Sequence, residues 1–168
     1  MDGIQLRKAR MEDVDRIWQI ILQAKEQMRL RNSLQWQDGY PSPENIAHDR
    51  ECGYGHVLCL NDTVIAYAAV IFDGEPAYEN IRGQWLSDRP YVVVHRLAVA
   101  DEMKRQGVAT RYMQKIEALS REKGIRNFRV DTNFDNLYMQ RIFAKLGFTY
   151  CGEVQYNQNR RMAYEKVL

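Results

Sequence analysis

The stretch from His95 to Thr110 constrains the fold of this chain more than any other segment. Its first half is apolar and β-branched, which is typical of a strand, and its second half opens an amphipathic helix. The joint between the halves, residues 104–107, is basic and contains Gly107. The free amides and the dipole of a helix start attract anions, and a glycine lets the backbone approach them closely. The segment therefore predicts a strand that leads into a phosphate-binding helix start.

Hydrophobic periodicity and turn residues predict an α/β chain with the order β-α-α-β-β-β-α-β-α-β-β. This order favours an α+β arrangement, a central mixed sheet with helices on its faces. The expected strands cover about 4–9, 56–60, 63–72, 91–99, 127–132, 149–154 and 161–167, and the expected helices about 11–29, 43–51, 108–123 and 139–146. Residues 73–90 show no period but are rich in apolar side chains, and ordered loops of this length are usually functional.

Composition limits the class of protein. A chain of 168 residues with 45% hydrophobic residues predicts one domain over 1–168, and a net charge of +2 argues against nucleic acid as a partner. Three unpatterned cysteines and three scattered histidines predict neither disulfides nor a metal site. No apolar run suits a signal peptide or a membrane span, so we expect a cytoplasmic protein without a membrane partner.

Two motifs within this order carry a resemblance to a known family. The joint reads Lys104-Arg105-Gln106-Gly107-Val108-Ala109, and a later helix reads from Asn136 through Phe143-Ala144-Lys145-Leu146-Gly147-Phe148. Their types and separation, with the element order over nearly the whole chain, resemble the GNAT superfamily of acetyl-coenzyme-A-dependent N-acetyltransferases. The family has Arg or Gln at the first position of the phosphate motif, and Lys104 stands there in this chain. Lysine keeps the positive charge of an arginine but lacks its planar guanidinium. The resemblance implies a single GNAT-like domain that uses acetyl-coenzyme A and no metal.

The resemblance also implies which residues hold the coenzyme. The backbone amides of 106–110 would bind its pyrophosphate, the strand end at 97–99 would pair with its pantetheine arm, and Asn136 would reach that arm. The amide of Val99 would polarise the thioester carbonyl. The implied cofactor-binding residues are Leu97, Ala98, Val99, Lys104, Arg105, Gln106, Gly107, Val108, Ala109, Thr110, Asn136, Phe143 and Lys145.

Acetyl transfer to an amine requires a base, because an alkyl ammonium with a pKa of ~10.4 is almost wholly protonated at pH 7. In many members of the family a Glu on this strand acts as the base, and Val93 stands at its position here. Two residues later, on the same face of a strand, stands His95, where the arylalkylamine branch has a histidine. We predict His95 as the catalytic base, and a core histidine bound to a neighbouring loop stays an equal alternative. Arg96 is expected on the opposite face, tying a helix or loop to the sheet.

The sequence says less about the group that protonates the leaving thiolate and about the residues that bind the acceptor amine. Phe143 stands where many relatives have a proton-donating tyrosine, which leaves water or Tyr150 to protonate the thiolate. Loop aromatics predict a pocket wall for the acceptor amine by cation–π contact, namely Trp36, Tyr78 and Trp85, with Glu75 or Glu79 as an acidic partner. The alternative is that these aromatics only plug one end of the sheet.

These features predict an N-acetyltransferase that acts on a primary amine of a small molecule or peptide. Direct attack within a ternary complex is expected, since no nucleophile stands beside a base. The missing Glu and Tyr favour an alternative, a non-catalytic sensor or partner module that binds acetyl-coenzyme A. His95 and the aromatic loop favour catalysis. A homodimer stays an option, because exposed aromatic side chains can mark an interface.

Overall fold

The computed structural model describes residues 2–157 and 159–168. Its strands are β1 (Ile4–Lys8), β2 (Gly55–Leu60), β3 (Thr63–Ile71), β4 (Arg82–Gly83), β5 (Tyr91–Val99), β6 (Asn127–Thr132), β7 (Thr149–Tyr156) and β8 (Asn159–Val167). Its α-helices are α1 (Val14–Leu30), α2 (Pro43–Glu51), α3 (Val108–Glu122) and α4 (Leu137–Leu146). The expected order is confirmed except for β4, a two-residue strand inside the long loop that the sequence left without a period.

The strands form one sheet in the order β1-β2-β3-β5-β6-β8-β7-β4. Every neighbouring pair is antiparallel except β5 and β6, which run parallel. That pair is registered only from Tyr91 opposite Asn127 to Val93 opposite Arg129. Beyond Val93, the end of β5 pairs only with β3, so the sheet opens between β5 and β6.

Helices cover both faces of the sheet, as expected for a mixed α/β fold. On one face, α3 and α4 bury their apolar stripes against strand residues such as Val92, Val94 and Phe128. On the other face, α1 and α2 pack on Val57, Tyr67 and Ala98 among others. The loop before β5 covers the rest of this second face with a short 3-10 turn at Pro76–Tyr78. None of the described helices is long and apolar enough to cross a membrane.

A β-bulge interrupts β5 at Arg96. Tyr67 of β3 lies opposite Ala98, but Ala69 lies opposite His95, so two residues of β5 face the single residue between them. Arg96 takes a left-handed φ of 59°, which absorbs the extra residue. His95 and Arg96 consequently both turn toward the face that carries Tyr67 and Tyr78. The expectation that Arg96 points to the opposite face is wrong, because it assumed an unbroken period of two.

Candidate active site

The start of α3, at Gly107, has the properties of an anion-binding site, and we call it the anion seat. Gly107 is the N-cap residue with a φ of 71°, and no side chain caps the helix. The amides of the first turn therefore have no capping partner, and the helix dipole favours a negative charge there. A Cβ built on Gly107 would meet nothing within 4 Å, so the space in front of the seat is open. Arg105 is also left-handed, at a φ of 63°, which curls the backbone around that space.

A groove runs from this seat along the end of β5, and we call it the coenzyme groove. It is lined by Leu97–Val99 from the strand, Gly107–Ala109 from α3, and residues of α1 and α4. Lys104 and Arg105 lie in its wall, and Lys104 is partly balanced by Asp101 at 3.4 Å. Gln106, Thr110 and Lys145 do not line this groove.

Two side chains brace the groove where the sheet opens. Gln27 of α1 donates to the carbonyl of Val99 at 3.1 Å, a group that β6 does not reach. Asn136 caps α4 by accepting from the amide of Met139, and it donates to Gln35 Oε1 at 3.0 Å. Both polar ends of Asn136 thus have partners within the chain, but Nδ2 uses one of its two hydrogens on Gln35 and keeps the other for a further acceptor.

Two further cavities continue the groove across the sheet. The central cavity shares Met28, Leu97, Asn136 and Met139 with the groove. It shares His95, Arg96, Asp131 and Arg161, among others, with an open region that we call the outer cleft. The central cavity thus shares lining residues with the groove and with the outer cleft, and we call the three spaces together the passage; His95 lines both the central cavity and the outer cleft. Phe143, 2% exposed, forms part of the central wall.

His95 pairs with Glu75 from the long loop. Its Nε2 lies 2.9 Å from Oε2 of Glu75, and both side chains are mostly buried. Burial alone would raise the pKa of Glu75, but the hydrogen bond and charge of His95 lower it below its usual value. An ionised Glu75 accepts a proton-bearing Nε2, which leaves the lone pair of His95 on Nδ1. Among the described residues, Nδ1 has no hydrogen-bond partner.

A second carboxylate, Asp131 at the end of β6, lies on the same side of the sheet. Its Oδ2 accepts from the hydroxyls of Tyr78 at 2.6 Å and Tyr156 at 2.8 Å. Burial and the neighbouring charge of Asp131 raise the pKa of both tyrosines, so they keep their protons. The rings of Tyr78 and Tyr156 meet the imidazole of His95 edge to face, at centroid distances of 6.3 and 6.4 Å. These contacts fix the orientation of the imidazole.

Arg96 ties α2 to the sheet, as the sequence predicted, although from the other face. Its guanidinium holds the fully buried Asp49 through Nε and Nη2, and its Nη1 donates to the hydroxyl of Tyr40 at 2.7 Å. Tyr67 of β3 donates to the same carboxylate at 2.6 Å. Burial disfavours the charged guanidinium, but the bonds to Asp49 and Tyr40 raise the pKa of Arg96 overall. This network anchors the bulge.

Of the three aromatics expected around an acceptor, only Trp36 lines the cavities. Tyr78 is 1% exposed, because its hydroxyl is drawn inward to Asp131. Trp85 packs between Tyr78 and Arg129, and its indole donates to the Tyr78 carbonyl at 2.9 Å. The expectation for these two residues needs correction, since they support the site from behind and neither lines the passage.

Sequence reasoning missed two residues of the site and gave a third a different partner. Glu75 was taken as a partner of the acceptor, but it binds His95. Asp131 and Arg161 drew no attention, although both line the central cavity and the outer cleft. The one available signal was position, because Asp131 lies near the end of the strand that follows the phosphate-binding helix. Nothing local marks Arg161, which stands in a polar, arginine-rich segment.

Comparison with known proteins was made against this geometry. A family model described as the acetyltransferase (GNAT) family matches residues 14–148. A GNAT-family acetyltransferase from Streptococcus agalactiae is 35% identical with a TM-score of 0.90, over 99% of this chain and 96% of that one. A putative acetyltransferase from Staphylococcus aureus is 28% identical with a TM-score of 0.74, over 97% of this chain and 98% of that one.

A more distant structure carries a ligand. A putative acetyltransferase from Salmonella typhimurium, solved with its cofactor acetyl-CoA, is 16% identical with a TM-score of 0.66, over 99% of this chain and 95% of that one. At this identity the likeness shows a common fold. No curated protein sequence matches the chain significantly.

Proposed function

Because the chain belongs to the acetyltransferase (GNAT) family, we propose that it is an acetyl-coenzyme-A-dependent N-acetyltransferase. The acceptor is a primary amine of a small molecule or peptide, and transfer occurs by direct attack within a ternary complex. The observation that carries this proposal is the His95–Glu75 pair, located where the central cavity meets the outer cleft. Turnover requires a base whereas binding of the coenzyme does not, so this pair favours catalysis over a binding module.

The groove fits the proposed donor. Its seat offers uncapped helix amides, a left-handed glycine and two cationic side chains, which suit a pyrophosphate. When bound, acetyl-coenzyme A supplies an acetyl group activated as a thioester. Leu97 lines both the groove and the central cavity, whereas Val99 lines only the groove. We therefore infer that the reacting end lies beside Leu97, two residues before the amide suggested by the sequence.

The chain's contribution to the chemistry is the handling of one proton. Glu75 holds the Nε2 proton, so Nδ1 of His95 can take a proton from the acceptor ammonium or from the attacking nitrogen. As the C–N bond forms, the C–S bond breaks, and the thiolate leaves without a tyrosine at position 143. A thiol pKa of ~8.5 makes this departure only about 2 kcal/mol uphill at pH 7, so water suffices as the proton source.

The second candidate function is a non-catalytic module that binds acetyl-coenzyme A. Val93 and Phe143 favour it, since they replace the two proton-handling side chains that the resemblance implies. Val93 and Phe143 are both buried, and neither side chain can donate or accept a proton. The two candidates differ in turnover, which can be measured directly.

The deciding experiment measures free thiol released from acetyl-coenzyme A in the presence of aliphatic amines, arylalkylamines, polyamines, amino acids and peptides. We expect amine-dependent release with at least one class. His95→Ala should lower kcat by ~10²-fold or more and change the pH profile, because the proton acceptor is lost. His48→Ala, in an exposed histidine of α2 outside the passage, is the matched control and should leave both unchanged.

Two results would contradict the proposal at different levels. Saturable binding of acetyl-coenzyme A without release for any amine would favour the binding module. Turnover with an unaltered pH profile in His95→Ala would keep the enzyme and remove His95 from its mechanism. A cytoplasmic location, independence from metal, nucleic acid and membrane, and a homodimer stay predictions from the sequence.

A further inference from the structure

Two arginines among the described residues line the central cavity and the outer cleft, Arg96 and Arg161 of β8, and only Arg161 has donors that no acceptor in the described part of the chain holds. Its nearest carboxylate oxygen is Oδ1 of Asp131, 3.5 Å from Nη1, which is longer than a hydrogen bond. Its Nε is buried without any partner. Arg96, by contrast, uses all three of its nitrogens on Asp49 and Tyr40. Arg161 is thus a mostly buried cation, 14% exposed, with unused donors.

The position of Arg161 relates it to the acceptor. It lines both the central cavity and the outer cleft, as His95 does, and it is absent from the coenzyme groove. Its charge is therefore not placed for the pyrophosphate. A guanidinium with free donors recognises a carboxylate through two parallel hydrogen bonds, and burial strengthens that pairing.

The acidic residues of the cleft are already engaged or lie at its rim. Glu75 is bound to His95, and Asp131 accepts from two tyrosine hydroxyls besides its contact with Arg161. Asp38 is exposed at the outer edge. Among the titratable groups of the described residues that line the central cavity, two therefore have no hydrogen-bond partner, the base Nδ1 of His95 and the guanidinium of Arg161. This pair suits an acceptor that carries an amine and an anion in one small molecule.

We propose that Arg161 binds a carboxylate of the acceptor and that the acceptor class is the small amino carboxylates, with the amine directed to His95. The inference rests on the proposed N-acetyltransferase function and narrows its substrate. Decarboxylated amines, polyamines and amino-acid amides lack the group that Arg161 pairs with.

The test uses matched acceptors that differ only in the anion. For several side chains, kcat/KM is measured for the amino acid, its carboxamide and its decarboxylated amine. These compounds also differ in amine basicity, so the quantity of interest is the ratio of acid to amide compared between enzyme variants. In the natural protein we expect the acid to be preferred by about 10²-fold or more. A series of α-, β- and γ-amino acids then measures the spacing between the base and Arg161.

Arg161→Gln should bring the ratio of acid to amide down by about 10²-fold, through a higher KM for the acids. Arg161→Lys keeps the positive charge but loses the planar guanidinium, so its ratio of acid to amide should lie between those of the natural protein and Arg161→Gln. Arg160→Gln is the control, since Arg160 is the neighbouring residue on β8, is 57% exposed and, within the described part of the chain, forms an ion pair with Glu153 at 3.6 Å. It should leave the ratio unchanged. The KM for acetyl-coenzyme A and the thermal midpoint report on folding.

The outcomes separate this inference from the proposed function. Turnover of amines without preference for the acids, or a preference that Arg161→Gln preserves, overturns the inference alone. Best activity with polyamines would replace it by a cationic acceptor. If no acceptor is acetylated, the same pairs are titrated calorimetrically into the protein with coenzyme A bound. Binding of the acids that Arg161→Gln abolishes would still support the carboxylate site, and equal or absent binding would overturn it.

Discussion

At the residue scale, the site depends on which side chains already have partners. Arg96 and Arg161 stand in the same passage, but Arg96 is held by Asp49 while Arg161 is not held at hydrogen-bond distance. Likewise Glu75 is used by His95 and is not open to an acceptor. Sequence pattern singled out His95, which lines the central cavity and the outer cleft, but its partner lies 20 residues away in a loop without a period. Such pairings depend on tertiary geometry, which residue types alone do not encode.

The first prediction concerns the carboxylate of Glu75. Its folded-state pKa is lowered, so the unfolded chain binds more protons near pH 4, and ionised Glu75 stabilises the fold above the usual carboxyl pKa of ~4.3. Glu75→Gln should lower the free energy of unfolding by ~1–2 kcal/mol at pH 7. The deficit should shrink as the pH falls through the lowered pKa of Glu75. Urea unfolding at pH 7, 5, 4 and 3 measures it.

Glu79→Gln is the control for this series, since Glu79 is exposed four residues later in the same loop. It should leave the unfolding free energy nearly unchanged at every pH. If the loss of unfolding free energy in Glu75→Gln grew as the pH fell, the fold would stabilise the protonated carboxyl of Glu75. The pKa of Glu75 would then be raised, which contradicts this prediction.

At the element scale, the two ends of α3 offer a natural comparison. Gly107 precedes the helix and Gly124 follows it, with φ values of 71° and 75°. A Cβ at either position would meet nothing within 4 Å. Both ends were predictable, because a glycine before or after an amphipathic stripe is a strong local signal. The bulge in β5 was not, since the two polar residues within its apolar run, His95 and Arg96, are equally compatible with an unbroken strand.

The second prediction follows from this symmetry. Gly107→Ala and Gly124→Ala should each lower the unfolding free energy by about 1–2 kcal/mol, because alanine is strained at positive φ. Only Gly107→Ala should also weaken coenzyme A binding, by about 10-fold or more, since its methyl group enters the anion seat. Thermal unfolding and calorimetric titration with coenzyme A measure the two effects. Equal affinities in the two variants would argue against an anion seat at this helix start.

At the scale of the whole molecule, the sheet consists of two parts that meet over a short parallel contact. β5 and β6 are registered for three residue pairs and then separate, with helices bracing the opening from both faces. The order of strands and helices along the chain could be predicted from periodicity, and the helices fell close to their expected bounds. The opening could not, because no sequence pattern states where two parallel strands stop pairing.

The third prediction tests what fills this opening. Coenzyme A should slow hydrogen exchange both at the first turn of α3 and along residues 94–99, where amides of β5 lack a partner in β6. Adenosine 3′,5′-bisphosphate, which has phosphates but no pantetheine arm, should not protect 94–99. Measuring both ligands at equal occupancy cancels their common effect on global unfolding. Equal protection of 94–99 by both ligands would contradict a pantetheine arm in the opening.

The extra residue at Arg96 also restricts how this protein could change in length. Val94 and Leu97 pack toward α3 and α4, three residues apart, while Ala98 packs toward α1. The bulge thus resets which residues face which layer directly after the base. Removing Arg96 alone would restore a regular ladder in which Leu97 and Ala98 keep their faces, but it would remove the guanidinium that holds Asp49 and Tyr40. Insertions and deletions among homologues should therefore accumulate in the loops and spare this strand, where the extra residue supplies the link to α2.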